Sequence, residues 1–160
     1  MSVIDADNKE NQMYAKPKAL ASYGRIANTE SNPLKQIVML YDGAIKFLNL
    51  TATDIDNNDV VAKAEHSTRA LDIINYLQSI LDFNKGGNVA QSLDSLYRSI
   101  TVLILRASAE LNSELMRRAA NLLVPVRDAW ETNANKDSHN AVFSATPTVA
   151  PVTPSLQLAL

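Results

Sequence analysis

Apolar residues recur at alternating steps of four and three through one stretch of this chain, up to the last interval of the series. The members of the series are Val89, Leu93, Leu96, Ile100, Leu103, Ala107 and Leu111. An α-helix turns once in about 3.6 residues, so this spacing places all of them on one side of a helix. A helix with such a stripe needs other helices to cover it, and the series therefore predicts a helical bundle.

The first helix of this bundle has a well-defined start. Asn32 can cap a free backbone N–H group, and Pro33 at the first helical position gives up no hydrogen bond. The apolar residues that follow keep mostly to steps of three and four, which predicts a helix to about Asp56. Gly43 lies inside it and costs about 1 kcal/mol relative to alanine, which suggests a close helix crossing or a contact with another molecule.

The second helix is expected to begin after Asp59, whose carboxylate can cap it, and to carry Val60 on its inward side. Gly86 and Gly87 are expected to end it, since glycine tolerates the left-handed conformation found just past a helix C-terminus. The series described first then forms the third helix.

The fourth helix is expected to be capped by Ser113, with Leu122 and Trp130 facing inward. Pro125 lies within it, removes a backbone donor and is expected to kink the helix or end it early. Because short connections make consecutive helices antiparallel, we predict an all-α fold, an antiparallel four-helix bundle.

Both ends of the chain differ from this central region. Residues 1–31 lack a sustained apolar period and are expected to form a partly mobile N-terminal arm, while residues 32–135 form the bundle. Residues 136–160 are rich in Ala, Thr, Val and Pro and cannot bury enough apolar surface to order themselves. They are expected to be a disordered, Pro-rich C-terminal tail.

Composition excludes several classes of function. The formal net charge of −2 leaves no basic face for a phosphate backbone, so nucleic acid is not an expected partner. Cysteine is absent, which removes disulfides, thiolate metal sites and a thiol nucleophile. Neither a secretory signal nor an apolar run of the roughly 20 residues that a membrane span needs is visible. We therefore expect a cytoplasmic protein without membrane insertion.

Residue patterns typical of catalysis are missing. His66 and His139 are far apart in sequence, and no Glu-x-x-His pair or phosphate-binding glycine loop is present, so neither a metal, a cofactor nor an enzymatic reaction is expected. His66 leaves one alternative open, because histidine phosphotransfer modules are also four-helix bundles with one exposed helical histidine. The small residues and lysine expected after such a histidine are absent, which favours a solvated histidine.

Three segments carry more apolar residues than one buried stripe of a helix requires. Ile37–Tyr41 and Val102–Leu105 are apolar on all sides of the helix. In Leu71–Leu81 a second set of apolar residues, namely Ile73, Tyr76 and Ile80, alternates with the predicted core residues. Long helices flanked on two sides can have such wide buried stripes. Alternatively, part of this surface forms a groove for an amphipathic guest helix, since large apolar patches usually mark binding sites.

The residues from Asn32 to Ala44, read as NPLKQIVMLYDGA, resemble the first-helix signature of the FliS family, the flagellar secretion chaperones of flagellin. Further agreement comes, in order, from Asp59–Lys63, Ile73–Ile74, Leu81–Asp82 followed by Gly86–Gly87, Leu93 with Leu96–Tyr97, and Trp130. The likeness extends from about Met13 to Trp130. Any single piece is weak, but the ordered combination is specific.

The resemblance implies a cytoplasmic chaperone that binds the disordered C-terminal segment of newly made flagellin. Such a chaperone prevents premature polymerisation and passes its guest to the export gate of the flagellar type III apparatus. In this family the guest wraps around the bundle in largely helical segments, and the chaperone's own arm can cover apolar surface. Leu20 and Tyr23 match the arm's apolar residue and tyrosine, and are expected to handle the guest or the gate.

The residues expected at the guest-binding surface or in the arm are Leu20, Tyr23, Val38, Tyr41, Gly43, Ile73, Tyr76, Ile80, Val102 and Leu105. A client other than flagellin within the flagellar system is an alternative, and weak self-association is left open. The apolar segment Leu156–Leu160 gives a further hypothesis, that the tail imitates a guest by docking in the groove.

Overall fold

A computed structural model describes residues 32–143 of the chain, and their side chains as far as Asp137. Four helices account for nearly all of this region, and no strand occurs within it. Their bounds are α1 Pro33–Asp56, α2 Val60–Ser79, α3 Phe83–Glu110 and α4 Ser113–Phe143. The predicted all-α four-helix bundle is confirmed.

The four helices do not share the packing equally. α1 packs extensively against both α4 and α2, whereas α3 makes a smaller contact with each of the same two helices. Ion pairs of Arg127 with Asp42 and of Arg117 with Asp56 join α4 to α1, and their order along the two helices shows that the pair is antiparallel. α1 is therefore the most enclosed helix of the bundle.

α1 begins as its sequence predicts. The Asn32 side-chain oxygen accepts a hydrogen bond from the Leu34 N–H group at 3.0 Å, and Pro33 is the first helical residue. The Asn32 side-chain nitrogen donates to the Ala134 carbonyl at 3.0 Å. One residue thus caps α1 and ties its start to α4.

The boundary between α2 and α3 differs from the prediction. α2 ends at Ser79, and the Asp82 carboxylate accepts hydrogen bonds from the N–H groups of Asn84 and Lys85 at 3.0 Å each to start α3. Gly86 and Gly87 lie inside α3 and do not end α2. Gly87 has φ +50° and ψ −124°, so it kinks the first turns of α3 in a conformation that only glycine adopts at low cost.

The turn between α3 and α4 also corrects a predicted cap. Leu111 closes α3 with φ +52°, in the left-handed region. The Asn112 side-chain oxygen accepts the Leu115 N–H group at 2.9 Å, so Asn112 caps α4 and Ser113 is its first residue. Residue type alone does not distinguish the two positions, because serine and asparagine are equally good caps, and the sequence therefore predicted Ser113 in place of Asn112.

α4 is longer than predicted. It continues through Pro125, which is exposed, so water can satisfy the Asn121 carbonyl that the proline leaves without a donor. The helix extends to Phe143, eight residues beyond the predicted end of the bundle at residue 135, and Ala134 is the last buried residue among those whose side chains are described. Two residues predicted to face inward, Val60 and Leu122, are exposed, and Leu123 occupies the core instead of its neighbour.

Candidate functional site

The outer face of α3 carries two large apolar side chains that the bundle does not cover. Val102 is 63% exposed and Leu105 is 54% exposed. They lie one helical turn apart, on the side opposite to the residues that α3 buries, among them Ile100, Ile104 and Ala107. We call the surface around Val102 and Leu105 the α3 face.

Charged residues border the α3 face but form pairs within the helix. The Arg98 guanidinium lies 2.9 Å from an Asp94 carboxylate oxygen, and the Arg106 guanidinium lies 2.9 Å from a Glu110 carboxylate oxygen. Each pair is one turn long and exposed at its arginine. The α3 face is thus an apolar centre with balanced charges at its rim, an arrangement typical of protein interfaces.

A second apolar surface lies at the end of the bundle where α2 begins and α3 ends. Val60 is 65% exposed, Val61 is 80% exposed and Leu111 is 56% exposed. The Lys63 ammonium donates to the Ser108 carbonyl at 3.2 Å, which places these two helix ends side by side. We call Val60, Val61 and Leu111 the turn-end group. Its signal in the sequence is the pair of adjacent valines, since neighbours about 100° apart on a helix cannot both face one core.

Four of the predicted surface residues lie inside the bundle. Val38, Tyr41, Gly43 and Ile73 are all buried. Three of them lie on α1, which is flanked by both α4 and α2 and buries almost the full width of its apolar run. For α1, the wide buried stripe is therefore the correct interpretation of the sequence. That these four residues contact a guest stays a prediction.

The remaining predicted residues have mixed positions. Tyr76 and Ile80 on α2 are half-buried and pack against the core, so each presents only an edge to the surface. Leu20 and Tyr23 lie outside the described residues. Among the ten predicted residues, the structure brings only Val102 and Leu105 together on an open surface.

A buried polar contact connects α1 to α3 across the core. The hydroxyls of Tyr41 and Tyr97 form a 2.5 Å hydrogen bond, and Trp130 of α4 is completely buried nearby. Burial raises the pKa of both tyrosines, and hydrogen bonding to Tyr97 and Trp130 opposes this for the pKa of Tyr41. The Trp130 indole N–H nevertheless lacks a partner with full hydrogen-bond geometry. Both hydroxyls stay neutral, so the cluster is structural.

Comparison with known proteins decides the family. A family model described as "Flagellar protein FliS" matches residues 16–137, well over half of the chain. The flagellar secretion chaperone FliS of Salmonella typhimurium is 33% identical over 109 residues, which cover 68% of this chain and 81% of the relative. That of Campylobacter jejuni is 30% identical over 67% of this chain and 84% of the relative. That of Bacillus subtilis is 25% identical over 75% of this chain and 91% of the relative.

This chain belongs to the FliS family. It is a flagellar secretion chaperone, and the family consists of chaperones rather than enzymes. The FliS match covers α1, α2, α3 and α4 as far as Asp137, whereas residues 138–160 lie beyond it.

His66 is not the solvated side chain that its sequence context suggested. Its Nδ1 lies 2.6 Å from a carboxylate oxygen of Asp54, and the imidazole is 24% exposed. The His66 ring stacks on the Phe47 ring at 6.0 Å between centroids. The Arg69 guanidinium also lies over the Phe47 ring, 5.5 Å from its centroid. These contacts join α2 to α1. The FliS family takes the place of the phosphotransfer alternative.

Between residues 32 and 137, where side chains are described, no three His, Asp or Glu side chains group closely enough to hold a metal ion. In the same region, no helix has the length and apolar content that crossing a membrane requires.

Proposed function

We propose that this FliS chain binds the C-terminal segment of flagellin in the cytoplasm, prevents its premature polymerisation and delivers it to the flagellar export gate. The observation that carries the proposal is the α3 face, where Val102 and Leu105 remain more than half exposed in an otherwise well-packed bundle. Exposed apolar side chains one turn apart suit an amphipathic helix that presents its own apolar residues at the same spacing.

The size of the α3 face sets how the guest must bind. Complete burial of a Val or Leu side chain contributes about 1.5–3 kcal/mol, so covering the exposed parts of these two contributes about 2–3 kcal/mol together. A complex with a dissociation constant of 1 μM needs about 8 kcal/mol. A guest confined to the α3 face would therefore dissociate readily, and the flagellin segment has to continue onto other apolar surface.

The turn-end group supplies that surface. Leu111 lies nine residues after Val102, or about 14 Å along α3 at 1.5 Å per residue. Val61 beside it is the most exposed large apolar residue of the described region. A guest that follows α3 toward its end would cover both surfaces, which supports an extended guest over a single short helix. Leu20 and Tyr23 in the arm are proposed to assist guest or gate handling.

A charge on the α3 face tests this proposal. We expect Val102→Asp to weaken binding of a C-terminal flagellin peptide at least tenfold by isothermal titration calorimetry, because the carboxylate would lose its water under the guest. The helicity and melting temperature should barely change, since Val102 is exposed. Added salt should alter the wild-type affinity little, because the contact is apolar.

Ser95→Asp is the matched control. Ser95 is also exposed, lies one heptad before Val102 on the same side of α3, and offers no apolar contact to lose. It should bind flagellin within about twofold of the wild type. Equal affinity of Val102→Asp and the wild type, at full helicity, would refute the assignment of the α3 face.

A further inference from the structure

The chain continues for 17 residues beyond α4, and these residues have an unusual composition. Residues 144–160 contain no charged side chain, and three prolines divide their first part: Pro147, Pro151 and Pro154. The last five residues, Leu156–Leu160, read Leu-Gln-Leu-Ala-Leu. The FliS match ends at residue 137, so the family leaves this segment without a role.

We propose that Leu156–Leu160 docks on the α3 face of its own chain and occupies it when no guest is bound. The inference rests on the proposed function in one respect, namely that the α3 face is a docking surface. It adds an occupant that belongs to the chaperone itself and that a guest has to displace.

The reach of the chain favours the α3 face. Val102 precedes the turn at Leu111 by nine residues, and Phe143 follows Asn112 by 31 residues on the antiparallel α4. The axial distance between Val102 and Phe143 is therefore about 33 Å at 1.5 Å per residue. Residues 144–155 form a twelve-residue spacer that spans about 37 Å if it is extended like other Pro-rich linkers, at 3.1 Å per residue.

The turn-end group lies farther from the end of α4 than the α3 face does. The contact of Lys63 with Ser108 places Val61 near the start of α4, about 45 Å along the bundle from Phe143. A spacer with the polyproline II rise does not cover that distance, and only a fully stretched one, at about 3.3–3.6 Å per residue, approaches it. Of the two apolar surfaces, the α3 face is therefore the one that the apolar segment reaches with less extension.

The chemistry of the segment also matches. In one helical turn Leu156, Ala159 and Leu160 would share a side at i, i+3 and i+4, and would meet Val102 and Leu105 at the same spacing. The arginines at the rim are already paired with Asp94 and Glu110, so an uncharged segment leaves no ion pair broken. A short apolar contact of this kind is weak enough for a longer guest to displace.

Distance measurement in the full-length chain tests the proposal without flagellin. The chain has no cysteine, so Ser155→Cys provides a single site for a nitroxide spin label. In a chain with isotopically labelled Val and Leu methyl groups, we expect paramagnetic broadening to be strongest at Val102 and Leu105 and weak at Val60 and Val61. A diamagnetic label gives the reference intensities.

A pair of variants distinguishes a specific contact from nonspecific apolar association of the tail. In the labelled full-length chain, Leu156→Ser combined with Leu160→Ser should abolish the broadening at Val102 and Leu105. Val149→Ser, which removes an apolar side chain from the spacer, should leave it unchanged. Broadening that is absent, uniform, or strongest at the turn-end group overturns the proposal.

A mixing experiment shows whether the contact is intramolecular. Spin-labelled chain without isotope is mixed with isotopically labelled chain without spin label, and broadening at Val102 that persists here would overturn docking within one chain. These results are independent of the flagellin measurement. If Val102→Asp weakens flagellin binding but no broadening is seen, then only the tail inference fails.

Discussion

α1 and α3 contain similar apolar runs, but one run is buried and the other is partly exposed. Ile37–Tyr41 in α1 is almost entirely buried, whereas Val102–Leu105 in α3 leaves its first and last residues largely exposed. α1 has extensive contacts with two neighbours, and α3 has smaller contacts with the same two helices. A continuous apolar run therefore marks a binding surface only where the neighbouring helices fail to cover it.

The largest expected difference between α1 and α3 concerns stability. Leu48 is completely buried in α1, so Leu48→Ala should reduce the free energy of unfolding by about 2–5 kcal/mol through lost burial and a residual cavity. Leu105→Ala on the α3 face should cost less than about 1 kcal/mol. Urea denaturation measures both. Similar losses in the two variants would mean that the α3 face is not a free surface.

The second effect concerns the tyrosine pair that joins the two helices. Because burial raises the pKa of Tyr41 and Tyr97 above that of an unfolded chain, near 10, the unfolded state ionises first as the pH rises. This contribution to stability is complete below pH 10 and is lost progressively as the pH rises above 10.

Denaturation curves between pH 8 and pH 11 follow this loss. Tyr97→Phe should reduce the pH dependence without abolishing it, since one buried ionisable group remains. It should also lower stability at pH 8 by about 1–2 kcal/mol, because the Tyr41 hydroxyl loses its buried partner. A pH dependence equal to that of the wild type would place its source outside this pair.

The smallest effect compares the ends of the two helices. α1 is followed by Asn58 at φ +58° and α3 by Leu111 at φ +52°. Asparagine tolerates this left-handed region better than leucine does, so Leu111→Asn should stabilise the chain by about 0.5–1 kcal/mol. Asn58→Leu is the matched reverse change and should destabilise it by a similar amount. Thermal unfolding of both variants checks the pair, and a lower melting temperature for Leu111→Asn or a higher one for Asn58→Leu would contradict the interpretation.

The sequence was sufficient for the helices but not for their exact ends. The apolar periodicity predicted the bundle, and Asn32 with Pro33 predicted the start of α1. Both signals depend only on residues that are close in sequence. Gly86 and Gly87 were misassigned, since the Asp82 cap, four residues before Gly86, outweighs their tendency to end a helix. The length of α4 was missed because an exposed proline is tolerated where water can serve the freed carbonyl.

Apolar periodicity alone does not show which apolar residues are exposed at the surface. Val102 and Val38 lie in equally apolar runs, and only the packing of the neighbouring helices decides that the first is exposed and the second buried. The exposure of Val60, which was predicted to face inward, was missed in the same way. The family resemblance identified the class of protein correctly, but it did not distinguish the core residues from the open ones.

One titration tests the central claim that the α3 face receives the guest. In a chain with labelled Ile, Leu and Val methyl groups, stepwise addition of a C-terminal flagellin peptide should shift or broaden the signals of Val102 and Leu105 first and most strongly. The buried methyl groups of Val38 and Ile73 should change much less. Binding that leaves Val102 and Leu105 unchanged, while other methyl groups respond, would contradict the account.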